Sequence, residues 1–393
     1  MHHASKPERH PSALHMFSAD TLDLVGGPLA VIRNIFGGLK ESFAISVLVR
    51  ATTAQRRNII VNDLQATNEQ SFGTAISMPK ALALPWRLLR QIATHDLLAL
   101  HVPFPLAELA VVLGASRCKP LVVHWHGEAA ARAGRSRLRD LLLRRTLRRA
   151  KTIVVADRRI AHETPLLKQH AHKCRVVPYG IDASRLDWPN LVPGRVNDRG
   201  RLVLACGPLL GDEGFDVLVR SAVGRQFDVW IVGEGPERIR LQHLIDALGL
   251  TEQVRLLGAL PDCERLKLMC IADVFAIPSR TNAEAFGLVQ LEAMAAGRPI
   301  VNTALDTAVP RVARQGIEAI TVTPDDAEQL GDAIEKLIRD PERRRQMSQA
   351  ARTRVVERFS AAAFRTGVEI VYREALTPHA KCPTTIRPSS ATP

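Results

Sequence analysis

The chain has 393 residues, 46% of them hydrophobic, which is enough for two or three domains with their own cores. Aromatic residues make up only 4%, so those cores must be mainly aliphatic, and the formal charge of +13 calls for a partner or a reason. No uninterrupted apolar run reaches about 18 residues and residues 1–12 are polar and basic, which argues against a membrane span or a signal peptide and for a cytoplasmic protein.

Residues 1–12 predict a disordered lead. A short strand is expected over 13–17, then a loop through Gly26 and Gly27, then a helix over 28–40 with proline at its first position. Strands are expected at 45–49, 58–61, 97–100, 121–124 and 152–155, separated by helical stretches. Between them, from Arg132 to Lys151, runs an amphipathic basic helix in which Leu138, Leu141, Leu142 and Leu147 interleave with arginines. It suits a solvated face on a packed helix, an anionic membrane or a nucleic acid; the third lacks any stacking aromatics, and no nucleic-acid partner is expected.

Residues 183–197 hold Pro189, Pro193 and Gly194 without periodicity and read as a linker. The pattern then restarts, with strands at 202–206, 228–232, 254–257, 274–277 and 299–301, and a helical face at Leu330, Ile334, Leu337 and Ile338. Strand–helix alternation on both sides of the linker predicts an α/β protein of two Rossmann-like domains, 13–182 and 198–358, facing a cleft. A last helix over 359–376 and a tail over 377–393 complete the chain. The six cysteines (118, 174, 206, 263, 270 and 382) show no C-x-x-C spacing and are expected to be reduced thiols without metal. There is no Asp-x-Asp triplet, and Asp325-Asp326 reads as a helix N-cap pair.

Glu284 and Glu292 stand eight positions apart, after the apolar run 274–278 and before a glycine stop at Gly297. Phe286, Gly287 and Leu288 would then lie at a helix N-terminus, where free N–H groups and the helix dipole favour phosphate. This segment resembles the donor-binding signature of retaining glycosyltransferases of family 4, which have the GT-B architecture. So do Leu121-Val-Val-His-Trp-His-Gly-Glu128, Val176-Val-Pro-Tyr-Gly-Ile-Asp182, Gly211-Asp-Glu-Gly-Phe-Asp-Val-Leu218 and Val232-Gly-Glu-Gly-Pro236, so that the likeness spans residues 95–376.

The resemblance implies a hexosyltransferase acting with retention and without metal or other cofactor. It is closest in pattern to mannosyl- and rhamnosyltransferases of bacterial surface-polysaccharide assembly, with GDP-mannose the favoured donor. It implies that Glu284 faces the donor sugar, that Phe286–Leu288 amides meet the diphosphate, and that Glu292 holds the ribose. His126 would meet the sugar or phosphate, and Glu128 the acceptor. Gly26, Gly27 and Gly207 would allow close backbone approach to the donor. The acceptor is expected to be a saccharide or lipid-linked saccharide, with the basic helix touching the inner face of the cell membrane and the last helix crossing back onto the first domain.

The chain departs from the family at the loop 207–214. Pro208 and Glu213 stand where a diphosphate-clamping arginine and lysine belong. Arg280 is the nearest replacement in sequence. The alternatives are a reshaped loop, or a catalytically impaired relative that binds a sugar nucleotide or serves as a scaffold. A sugar-nucleotide epimerase on the same fold is a further rival.

Overall fold

Apolar runs of four to six residues, buried on both faces, form the central strands of two parallel sheets. The structure is a computed structural model and describes residues 10–18, 35, 39, 42–50, 92–114, 119–126, 137–182, 201–281 and 286–377. The expected strand at 58–61, the linker 183–197 and the tail from 378 lie outside the described residues. Of the expected helix over 28–40, Ile35 and Leu39 are described, both helical and buried.

The first sheet comprises β1 (Ser12–Ser18), β2 (Ala44–Arg50), β3 (Leu97–Val102), β4 (Leu121–Trp125), β5 (Thr152–Val155) and β6 (Cys174–Val176) in the order β2-β1-β3-β4-β5-β6. The second comprises β7 (Leu202–Cys206), β8 (Asp228–Val232), β9 (Val254–Gly258), β10 (Val274–Ile277), β11 (Ile300–Thr303) and β12 (Ala319–Val322) in the order β12-β11-β10-β7-β8-β9. This is the GT-B fold. β6 and β12 were not expected: each is a short edge strand with half-exposed positions, so neither carries the continuous apolar run of a central strand.

Strand alternation sorts the first lobe into two faces. Leu98, Leu100, Val102, Leu121, Val123 and Trp125 pack in one cluster with α1 (Pro105–Val112) and α2 (Arg137–Arg149). Ala13, Leu97, Ala99 and Val122 face the other way, in one cluster with Phe364, Val368, Val371, Tyr372 and Ala375. Those five belong to α12 (Ala361–Leu376), the last helix, which therefore crosses from the second lobe to cover the first sheet.

Helix α2 buries Leu142, Leu143, Thr146 and Leu147, whereas Leu138 and Leu141 are 65% and 45% exposed. The leucines thus split into two groups instead of sharing one face. Helix α1 packs on α2 and leaves Leu109 exposed, as is Leu113 at its C-cap. Among the described cysteines, all free, Cys206 is buried and Cys263 exposed, with Cys174 and Cys270 between.

Charged contacts also join the lobes. Asp157 caps α3 (Arg158–Glu163) and pairs with Arg311 of α9 (Val309–Val312) at 2.6 Å, and Arg159 pairs with Asp306.

Candidate active site

In the second sheet the strand order reverses between β7 and β10, so the loops after these strands flank a crevice at their carboxyl ends. The β7 loop is fixed by glycines. Gly214 has φ +70°, and a Cβ there would lie 2.0 Å from the Pro278 carbonyl oxygen of the β10 loop. At Gly207 an added Cβ would meet the Phe215 ring at 3.3 Å and the Glu213 carboxylate at 3.6 Å. An anionic side chain therefore sits beside the first residue after β7.

Arg280 reaches the same loop, but its guanidinium is engaged on all sides. It donates to Asp325 at 2.7 Å, to the Gly211 carbonyl at 2.9 Å and to Asp216 at 3.2 Å. Arg280 therefore ties the loop after β10 to the β7 loop. Of the expected N-cap pair, Asp326 caps α10 (Ala327–Arg339) by accepting from Gln329 N–H, while Asp325 binds Arg280.

Helix α8 (Leu288–Ala295) starts after Gly287, whose φ of +76° would strain any other residue. Gly287 has no side chain of its own to cap this end, where the positive end of the helix dipole lies. The helix is held by a buried chain of amides: Gln290 donates to the Val309 carbonyl at 3.0 Å, Asn302 donates to Gln290 at 3.1 Å, and Thr321 donates to Asn302 at 2.8 Å. Glu292 forms a bidentate pair with Arg265 of α7 (Asp262–Ile271), one link at 3.1 Å. Arg265 is 2% exposed and Glu292 17%, and Arg265 also reaches Asp262. Burial works against the Arg265 charge, yet Glu292 and Asp262 outweigh it and raise its pKa. Two of the carboxylate's lone-pair sites are filled by Arg265, leaving capacity for ribose hydroxyls.

On the first lobe, His126 follows β4 directly. One ring nitrogen, Nε2, meets His101 Nδ1 at 2.8 Å; the other, Nδ1, meets the Tyr179 hydroxyl at 2.9 Å. Burial lowers its pKa to about 4, so the imidazole is neutral near pH 7. Tyr179 packs edge-on against Phe286 of the second lobe, ring centroids 5.0 Å apart. His126 is thus one aromatic ring away from the residue that leads into α8. His124, two residues before it on β4, lies with its ring nearly parallel to that of His126 and hydrogen-bonds Tyr372 at 2.7 Å.

Of the predicted residues the structure describes seven: Gly207 and Arg280 meet the β7 loop, Phe286, Gly287, Leu288 and Glu292 lead into and lie on α8, and His126 reaches Phe286 through Tyr179. Glu284, Glu128, Gly26 and Gly27 lie outside the described residues. Arg265, Tyr179 and His101 join the site without having been foreseen. Arg265 sits among other charged residues of α7, and nothing local marks it as the one turned inward. Among the described residues no group of His, Cys, Asp or Glu is arranged to hold a metal, and no helix is long and apolar enough to cross a membrane.

Residues 26–180 match the family described as glycosyl transferase 4-like domain, and residues 192–354 match glycosyl transferases group 1. D-rhamnosyltransferase WbpZ of Pseudomonas aeruginosa is 27% identical over 276 residues, 69% of this chain and 72% of that one. Phosphatidyl-myo-inositol mannosyltransferase of Mycobacterium leprae is 36% identical over 213 residues, and the chain spans 54% of its length. The solved structure of Anabaena Alr3699/HepE in complex with UDP-glucose superposes with a TM-score of 0.74 at 19% identity, covering 93% of this chain and all of that one.

Proposed function

The chain belongs to the group 1 glycosyltransferases of GT-B fold, and on that premise we propose that it moves a hexose, with retention, from a nucleoside diphosphate sugar to a saccharide or lipid-linked saccharide. The observation that carries this reading is the strand-order reversal between β7 and β10, beside which the glycine-led start of α8 reaches His126 through the Tyr179–Phe286 contact. Cleaving the sugar–phosphate bond leaves negative charge on the departing diphosphate. Fixed amide dipoles at Phe286–Leu288 stabilise that charge without having to reorganise. Glu292, braced by Arg265, is suited to the ribose, and Glu284 is assigned to the donor sugar. His126 is assigned to the sugar or phosphate, and Glu128 to the acceptor.

Mannose is the favoured sugar and GDP-mannose the favoured donor, because mannosyl- and rhamnosyltransferases are among the relatives. Calorimetric titration with a panel of sugar nucleotides tests this. Saturable binding of GDP-mannose in preference to UDP-glucose is expected; uniform absence of binding would sink the enzyme reading.

A second reading is favoured by one observation, the Glu213 carboxylate beside Gly207. Placed against a diphosphate it repels the donor, as expected of an impaired relative that binds or scaffolds. Turnover by the wild type, compared with a Pro208→Arg/Glu213→Lys variant, separates the two. For the acceptor side, α2 presents Leu138 and Leu141 to solvent among its arginines, a composition that suits the anionic inner face of a cell membrane. Sedimentation with vesicles containing anionic lipid should show binding that weakens in Leu138→Ser/Leu141→Ser, and binding equal in both proteins would remove this face from the account.

A further inference from the structure

Beneath His126 lies a larger polar assembly in an otherwise aliphatic lobe. His15, His101 and His124 occupy three neighbouring strands on the face turned toward α12, and each is at most 2% exposed. Parallel register explains the grouping: His101 is paired with His124, and His15 with Ala99, two residues before His101 on the same face. The His101 ring stacks on His124 at 4.5 Å and on His126 at 5.1 Å between centroids.

Among the described residues the hydrogen bonds link this stack one to the next. His124 Nε2 meets the Tyr372 hydroxyl at 2.7 Å, and Tyr372 meets His15 Nε2 at 3.4 Å. His15 Nδ1 meets His101 Nε2 at 3.0 Å, and His101 Nδ1 meets His126 Nε2 at 2.8 Å. His126 Nδ1 meets Tyr179 at 2.9 Å, and Tyr179 donates to the Trp125 carbonyl at 3.3 Å. Burial holds all four imidazoles well below their ordinary pKa, so each carries a single hydrogen.

The polarity of such a chain is decided at its end. A backbone carbonyl only accepts, so Tyr179 gives its hydrogen to Trp125 and receives one from His126 Nδ1–H. His126 Nε2 must then accept from His101 Nδ1–H, His101 Nε2 from His15 Nδ1–H, His15 Nε2 from Tyr372, and Tyr372 from His124 Nε2–H. Four imidazoles and two hydroxyls supply one hydrogen for every link. In the opposite direction Tyr179 gives its hydrogen to His126 and no longer to the Trp125 carbonyl, so the first direction, which fills every link described, wins.

We infer that His15, His101, His124, Tyr372 and Tyr179 form a directional relay of positioning residues that fixes His126 as the Nδ1–H tautomer, an uncharged donor aimed toward the second lobe. The nitrogen bearing the hydrogen is the one that meets Tyr179, and Tyr179 rests on Phe286. A ligand oxygen, from phosphate or a sugar hydroxyl, competes with Tyr179 for that hydrogen, so His126 recognises acceptors on this side and rejects donors. The ligand part of this inference rests on the proposed assignment of His126 to the donor; the relay itself does not.

Nitrogen-15 NMR of the histidine rings in the full chain tests it. In the wild type His15, His101 and His126 are expected as Nδ1–H tautomers and His124 as Nε2–H. In Tyr179→Phe the terminal acceptor is gone, and the tautomer of His15, two links beyond His126, should shift toward Nε2–H. A wild-type His126 protonated on Nε2, or a His15 signal indifferent to Tyr179→Phe while His126 responds, overturns the relay. For turnover, His101→Leu should lower kcat about 10- to 100-fold with KM nearly unchanged, the scale on which losing an orienting partner acts on an imidazole. His101→Asn, which keeps a donor near the Nδ1 position, should restore most of it. If the spectra are as expected and turnover is unmoved, the relay stands and the assignment of His126 to the donor falls.

Discussion

The two lobes prepare their sides of the crevice by opposite means. The first uses neutral groups: stacked imidazoles whose pKa values burial holds low, ordered by the direction of their hydrogen bonds. The second uses formal charge: Arg265 between Glu292 and Asp262, and Arg280 between Asp216 and Asp325. In both, the groups nearest the crevice are braced from behind. The difference teaches that a site can be preorganised without net charge on the side where a donor hydrogen is wanted, while charges elsewhere are tied into pairs so that they hold shape instead of attracting ions.

Acid should break the neutral side first, and with the largest effect. Histidines in an unfolded chain take up protons below pH about 6.5, whereas the buried ones resist until far lower, His15 to about 3 and His126 to about 4. Their contribution is therefore fully present above pH 6.5 and is lost as pH falls toward 4, by up to about 1.4 kcal/mol per pH unit for each fully buried imidazole. Urea unfolding at pH 7 and 4.5 measures it, and a flat profile contradicts a neutral relay.

On the charged side, Glu292→Ala leaves Arg265 buried with Asp262 alone. Unfolding free energy should fall by about 3 kcal/mol. Donor affinity should fall about 10- to 100-fold. An Arg265→Met/Glu292→Met pair should recover most of the stability and none of the affinity, which separates bracing from binding. Glu213→Lys sharpens the contrast by adding a cation where the second lobe holds an anion. A rise in kcat/KM of about 100-fold is expected, and an unchanged value would show that Glu213 lies off the diphosphate path. Smallest is Arg280→Gln, which unpins the β7 loop; about 1 kcal/mol of stability should be lost, read from the thermal midpoint.

The strand frame of both lobes was legible because central parallel strands are mostly apolar runs bounded by turns, as in Leu202-Val-Leu-Ala-Cys206. The position of α8 was legible from the glycines and glutamates around it. The relay was not, because its members come from separate strands and the last helix: His15 and His101 lie 86 residues apart, Tyr372 and His15 357. A signal was present nonetheless. One histidine interrupts each of three apolar strands, in the middle of β1 and next to last in β3 and β4, and a single interruption reads as a tolerated core residue where three in adjacent strands do not. The Arg265–Glu292 pair was equally hidden, since helix periodicity in a charged segment does not say which charge turns inward. The Asp216 and Asp325 partners of Arg280 were hidden too, since they lie 64 and 45 residues away in the chain.

Helix α12 is the last described element in the chain, yet it covers one face of the sheet made from the first. Ile181 bridges to Ser360 just before that helix, and an added Cβ at Gly180 would lie 2.2 Å from the Ser360 carbonyl oxygen, so the strap is tight. During synthesis the amino-terminal lobe must therefore wait, one flank bare and His15 lacking its tyrosine, until residue 376 has left the ribosome. Its maturation is timed by a helix that follows the whole second lobe, and a chaperone that shelters exposed aliphatic surface would find its substrate there.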